Sequence, residues 1–167
     1  MLKVTTGLSG AAGMLALVLL SSCKTKPPPP PPPPKPVIAH VSAVGSDQLN
    51  PDGSSRPSPV VLRLFQLHSS AEFNDAGFGA LYDKEQETLG ANLLGREQTL
   101  LHPGETWHID LQMNANARFV GVLAGFRDQK QWHALTAVPT KDGIPTLKSG
   151  IVTIRVEKNV VTIDPIE

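Results

Sequence analysis

Short runs of alternating apolar and polar residues, separated by Gly, Pro and Asn, dominate the chain from Val37 onward. In Ile151 to Val156 the residues Val152, Ile154 and Val156 share one face while Thr153 and Arg155 take the other; Val161 and Ile163 flank Thr162 in the same way. That period of two predicts half-buried strands. Lys158 and Asn159 between them suit a tight hairpin turn, with the positive φ on asparagine. Trp107, Ile109 and Leu111 alternate with His108, Asp110 and Gln112. Arg118 to Phe126 is apolar on both faces and carries Gly121 and Gly125 on one of them, which predicts a central strand with a close neighbour. Val37 to Val44, Pro59 to Leu67, Gln98 to His102 and His133 to Val138 complete about eight short strands, the pattern of a mainly β, two-sheet sandwich.

Two stretches depart from the alternation. Ser69 and Glu72 have the spacing of a capping box, Phe78, Leu81 and Tyr82 then fall on one helical face, and Asp83 to Leu89 predicts a further turn or two stopped by Gly90. Residues 69–94 therefore read as a small helical insertion. It would cover the strand before it, where Val61, Phe65 and Leu67 lie opposite Leu62 and Leu64 and both faces need burial. The second departure is the segment from Gly45 to Ser58. Asn50-Pro51-Asp52-Gly53 has the chemistry of a type I turn, Pro57 and Pro59 stiffen the exit, and Leu49 and Arg56 offer an apolar and a polar contact at the tip. A loop this long between strands suggests a binding role.

Ahead of the sandwich, an apolar run from Gly7 to Leu20 follows Lys3 and is shorter than the ~20 residues a membrane span needs. Leu20-Ser21-Ser22-Cys23 closes it, and Cys23 is the only cysteine. This reads as a lipoprotein signal over residues 1–22, cut between Ser22 and Cys23, in preference to a transmembrane anchor or an ordinary signal with an incidental cysteine. Cys23 would carry S-diacylglycerol and an N-acyl chain. Several acyl chains, at about 0.8 kcal/mol per buried CH₂, give stable anchoring where one gives only marginal binding. Residues 23–36 then form a tether containing eight consecutive prolines, Pro27 to Pro34. In polyproline II, at ~3.1 Å per residue, it would hold the domain of residues 37–167 roughly 40 Å from the lipid. The tract could also be a ligand for aromatic grooves, but its place beside an anchor already explains it.

The neutral formal charge of the whole chain conceals a division. Before Val37 every charged side chain is a lysine; after it, eleven Lys and Arg face fifteen Asp and Glu. A mildly acidic domain without a basic stripe gives no support to nucleic-acid binding. The five histidines show no helical metal-ligand spacing, and there is no nucleophile elbow or phosphate loop. His108 and Asp110 share a strand face and are the best enzymatic pair available, with a solvated strand face as the plainer reading. Phe126, Arg127, Asp128 and Trp132 could form a sugar-stacking site or merely a hairpin corner around a buried tryptophan. No cofactor, metal or small-molecule substrate is indicated.

The chain resembles the TssJ (SciN) lipoproteins, the outer-membrane component of the type VI secretion membrane complex. The resemblance rests on the lipobox, Leu49-Asn50-Pro51-Asp52, the run Arg56-Pro57-Ser58-Pro59-Val60-Val61-Leu62-Arg63-Leu64-Phe65-Gln66-Leu67, Phe78-Gly79-Ala80-Leu81-Tyr82, Leu89-Gly90, Pro103-Gly104-Glu105, and Val120 to Arg127 with Trp132. It implies a transthyretin-like sandwich without enzymatic activity. It also implies that the loop between the first two strands, with Gln48, Leu49, Asn50, Pro51, Asp52, Gly53 and Arg56, docks the C-terminal periplasmic domain of the inner-membrane protein TssM, and through it the TssL/TssM complex. Lys24 after the anchor, a residue other than aspartate, fits outer-membrane sorting. The long proline tract is not typical of the family's tether. A periplasmic ligand-binding or inhibitor lipoprotein of sandwich fold is the alternative, for which Trp107, Trp132 and Tyr82 would have to supply the groove.

Overall fold

The computed structural model describes residues 35–167; Ser22, Cys23 and the proline tract Pro27 to Pro34 lie outside the described residues. Strands β1 (Ile38–Gly45), β2 (Val60–Leu67), β3 (Leu93–Leu101), β4 (Thr106–Gln112), β5 (Phe119–Ala124), β6 (His133–Ala137), β7 (Thr140–Lys141), β8 (Ile144–Pro145), β9 (Ile151–Glu157) and β10 (Val160–Ile163) are joined by three short helices, α1 (Ala71–Asp75), α2 (Phe78–Asp83) and α3 (Glu85–Leu89). One four-stranded sheet has the order β10-β9-β1-β4, the other β3-β2-β5-β6, and β7 with β8 forms a separate two-stranded ribbon. Eight strands thus build the sandwich that the alternation predicts. The β7–β8 ribbon, two residues a side, is too short to leave a periodic signal.

Strand β1 is central to its sheet, antiparallel to β4 and parallel to β9. Its inward residues Ala39, Val41 and Ala43 meet Val152, Ile154, Val156 and Val161 in a core shared with Leu62, Leu64, Val120, Val122 and Ala124 of the facing sheet. Apolar area removed from water at about 25 cal/mol per Å² is the main stabilising term. Two buried polar side chains stand out, Asn50 and Gln66. Gln66 donates from Nε2 to the Gln112 carbonyl (3.1 Å) and accepts from the Asn114 amide (2.7 Å), tying the end of β2 to the end of β4.

A second core lies on the outer face of β2 and β5, where Phe65, Leu67 and Leu123 pack against Phe73, Leu81 and Leu89 of the three helices. The insertion therefore supplies the cover that the two-faced β2 needs. Arg63, on that outer face, donates to the Tyr82 carbonyl (2.5 Å), to Glu85 (2.8 Å) and to Gln98 (2.7 Å), with its guanidinium 4.5 Å from the Tyr82 ring centre. Glu85 also pairs with Arg96 of β3, so one carboxylate clamps helix α3 to two strands.

Three local expectations are corrected. Ser69 does not form a capping box: Ser70 is the N-cap and makes no side-chain bond, while the Ser69 hydroxyl accepts only from the Ala71 amide (3.3 Å). Strand β3 starts at Leu93 rather than Gln98, because it is an edge strand whose exposed Arg96-Glu97-Gln98 carries no alternation. In the β9–β10 turn the positive φ falls on Lys158 (40°), not on Asn159, whose side chain instead donates to Asp128 (2.8 Å).

The second core closes at Gly121 of β5 and at Gly125, which the sequence pattern places in the strand but which lies just beyond its end at Ala124. A Cβ on Gly121 would stand 2.9 Å from Phe73 Cζ and 3.2 Å from Leu67 Cδ1, and one on Gly125 would stand 3.0 Å from Tyr82 Cε2. Gly121→Ala is expected to lose about 1–3 kcal/mol of stability through overpacking, measured by urea unfolding. An unchanged midpoint would mean that helix α1 does not pack on β5.

Candidate partner-docking site

The segment between β1 and β2 folds back on itself as a narrow antiparallel finger. The Ser58 amide donates to the Leu49 carbonyl (2.9 Å) and the Asp52 amide to the Arg56 carbonyl (2.9 Å). The turn at its tip spans Asp52 to Ser55, closed by the Ser55 amide on the Asp52 carbonyl (2.8 Å). The type I turn read over Asn50 to Gly53 is therefore displaced along the chain. The cause is the Asp52 carboxylate: Oδ1 accepts from the amides of Ser54 (2.8 Å) and Arg56 (3.0 Å), and Oδ2 from Arg56 Nε (2.8 Å). An Asx turn starting at Asp52 captures the chain reversal.

Asn50 is the base of the finger. It is 5% exposed and adopts φ 46°, a left-handed conformation that asparagine tolerates better than most residues. Every polar group it has is bonded. Its amide donates to the Lys158 carbonyl (2.6 Å), its carbonyl accepts from the Ser58 hydroxyl (2.5 Å), Nδ2 donates to the Pro59 carbonyl (2.9 Å), and Oδ1 accepts from the Arg127 amide (2.9 Å). One side chain thereby joins the β1–β2 finger to the β5–β6 loop, while its backbone joins the finger to the β9–β10 turn. The Asn159–Asp128 bond links those last two directly, and the Val161 amide adds a bond to the Gln131 carbonyl (3.0 Å).

The seven loop residues singled out from the sequence divide into two groups. Leu49 is fully buried in the main core, so it is not an apolar contact for a partner, and Asn50 is spent internally. Pro51 and Asp52 are half-buried, whereas Gln48, Gly53 and Arg56 are exposed, together with Ser54, Ser55 and Pro57. Arg56 leaves 79% of its side chain accessible while holding Asp52. What projects is the tip from Gly53 to Pro57. The roles of Leu49 and Asn50 were hidden because their contacts are with residues far along the chain; Arg127 lies 77 positions from Asn50.

The competing sites do not assemble. Asp110 pairs with His40 across the β1–β4 ladder (2.6 Å), while His108 lies opposite Ser42. No three His, Cys, Asp or Glu side chains gather in a metal-binding arrangement among the described residues. Tyr82 stacks on Phe78 with ring centres 5.0 Å apart, and Trp132 meets Phe78 edge-on at 5.4 Å, both as packing around the second core. Trp107 lies in the other sheet. These aromatics do not converge on one groove, and Trp132 is only partly buried. Among the described residues, no helix is long and apolar enough to cross a membrane.

Electrostatics reinforce the finger. The Arg56 amide, the Arg56 side chain and the Ser54 amide hold the Asp52 carboxyl below its ordinary pKa, and Arg127 adds to the effect. A depressed folded value means that the contribution of Asp52 is present above the ordinary aspartate range and lost as pH falls through the lowered value. Burial alone pushes His133, beside Phe73 and Trp132, the other way from a charged role, lowering its pKa.

Residues 38–159 match the model of the T6SS-SciN family, the type VI secretion lipoproteins VasD, EvfM and TssJ. The chain is 26% identical to the type VI lipoprotein TssJ1 of Pseudomonas aeruginosa, with a TM-score of 0.65 over 78% of this chain and 95% of that one. It is equally, 26%, identical to Lip of Serratia marcescens, a membrane-bound component of the type VI secretion system, with a TM-score of 0.67 over 80% and 98%. A chain in a solved type VI membrane complex has the same fold at 24% identity, with a TM-score of 0.65 over 78% and 100%. No curated protein matches.

Two outcomes are expected from the finger's construction. Asn50→Ala should cost about 2–4 kcal/mol in urea unfolding, from buried partners left unpaired and a left-handed φ without asparagine's tolerance; Asn50→Gly should recover only the backbone part. In an NMR titration the Asp52 carboxyl should have its midpoint below the ordinary aspartate value, and Arg56→Ala should move it upward. A midpoint indifferent to Arg56→Ala would remove the ion pair from the account.

Proposed function

The chain belongs to the type VI secretion lipoprotein family, and on that premise we propose that it is an outer-membrane-anchored structural component of the secretion machine. It docks the C-terminal periplasmic domain of TssM, and through it the TssL/TssM complex, with the tip of the β1–β2 finger. It performs no catalysis. Cys23, carrying S-diacylglycerol before cleavage behind Ser22 and N-acylated after it, is the anchor.

The observation that carries this reading is the rigid finger: an exposed tip, Gly53 to Pro57, on a base whose every polar group is bonded. A pre-ordered loop gives up little conformational entropy on binding, so more of its contact energy appears as affinity. The fold also suits a mechanical role. Lys35 to Val37 lie beside Gln112 to Ala115, at the end closed by Gln66, while the finger leaves the opposite end of β1. Load passing from the tether to the docked partner would run along β1, about 26 Å at ~3.3 Å per residue. That strand is hydrogen-bonded on both sides, so load along it shears many bonds together.

The test needs two variants of the full chain. Replacing Ser54, Ser55 and Arg56 by glycine spares Leu49, Asn50 and the fold, and is expected to abolish binding to the periplasmic TssM domain of the same secretion system in a detergent-solution titration. Cys23→Ala should keep the fold and that binding but carry no lipid, read from its intact mass, and stop secretion in cells. Unchanged binding by the tip variant would exclude docking through the finger, and secretion by Cys23→Ala would exclude the anchor's role.

A further inference from the structure

We propose that Arg127, on the β5–β6 loop, is a second contact of the docking surface and takes a carboxylate of the partner. The inference rests on docking at the finger and adds a residue from a different loop. Six arginines occur among the described residues. Arg56 is held by Asp52, Arg63 and Arg96 by Glu85, Arg155 by Asp164, and Arg118 by the carbonyls of Ala115, Ala117 and Gly143. Arg127 differs: only its Nε reaches an acceptor, the Ser58 hydroxyl at 3.4 Å, and its terminal nitrogens have none among the described residues.

The surroundings explain why it stays free. The nearby carboxylates are already engaged, Asp52 by Arg56 and the Ser54 amide, and Asp128 by Lys130 (3.1 Å) and Asn159 (2.8 Å). The Arg127 backbone is nevertheless fixed, because its amide donates to Asn50 Oδ1 (2.9 Å). The result is an exposed guanidinium, positioned against the finger by a buried side chain and carrying an unspent planar fork of donors. Such a fork matches a carboxylate in two-point geometry. Arginine is also among the residues that most often dominate interfaces. The backbone gives an independent sign. Of the four non-glycine residues with positive φ among the described residues, Asn50, Ser55 and Lys158 lie in the finger and in the turn bonded to it, the fourth being Asp142. Clustered backbone strain of this kind is a feature of binding sites.

The test measures affinity of the full chain, in detergent, for the periplasmic TssM domain of the same system at low and high salt. Arg127→Ala is expected to weaken binding about tenfold or more with an unchanged unfolding midpoint, since the Asn50 bond uses the main chain. Arg127→Lys should fall between, Arg127→Glu should bind more weakly than Arg127→Ala, and the alanine variant should lose part of the salt dependence. If the glycine tip variant fails to bind while Arg127→Ala binds within about twofold of the parent, the finger docks alone and this inference is wrong. Arg127→Glu binding as well as Arg127→Ala would overturn the carboxylate. A tip variant that binds normally would overturn both the finger and the contact built on it.

Discussion

The bonding of Asn50 is the constraint on which the finger end of the molecule depends. A long loop between two strands would ordinarily be free to take many conformations, at a cost of roughly 1–2 kcal/mol per residue to order. Here one buried asparagine, in a conformation few residues accept, bonds through all four of its polar groups to Lys158, Ser58, Pro59 and Arg127. Three connections that are distant in sequence become one surface. Asp52 repeats the device on a smaller scale at the tip, where a carboxylate collects two amides and a guanidinium.

Gln66 does the corresponding work at the other end of the sandwich, where it joins β2 to β4 near the point at which the chain enters the domain. The two buried amide side chains thus close opposite ends of the same core. Between them β2 is buried on both faces, which couples the sandwich to the helical insertion: Leu62 and Leu64 belong to the main core, Phe65 and Leu67 to the second. The insertion can approach so closely because Gly121 of β5 and Gly125, just after the strand, leave it room. The two cores and the two buried amides make the sandwich one stiff block with the finger at one end.

Most of this block was legible in the sequence because its signals are local. Alternation in β4, β9 and β10 located those strands, the double-sided pattern of β2 required the insertion, and Gly121 and Gly125 marked a close approach. What was not legible depended on partners far along the chain. Leu49 and Arg56 looked equally available, yet one is core and the other surface. The turn at Asp52 displaced the one expected at Asn50 because the Asp52 carboxylate collects the Ser54 and Arg56 amides. Edge strand β3 hid its beginning behind the polar run Arg96 to Gln98, since an edge has solvent to face. Arg127 drew notice only within a candidate sugar-stacking group and the run Val120 to Arg127; its lack of an acceptor is a property of the folded surroundings.

The central claim, that a pre-ordered loop end of the sandwich is the docking surface, is met most directly by NMR cross-saturation. Residues 37–167, isotopically labelled, would be observed while signals of the bound periplasmic TssM domain are saturated. The account predicts that saturation reaches the amides of Gln48, Gly53 to Arg56 and the Arg127 loop, and spares Leu49 and Asn50. Saturation concentrated instead on helices α1 to α3, or on the exposed face of β1 and β9, would contradict it.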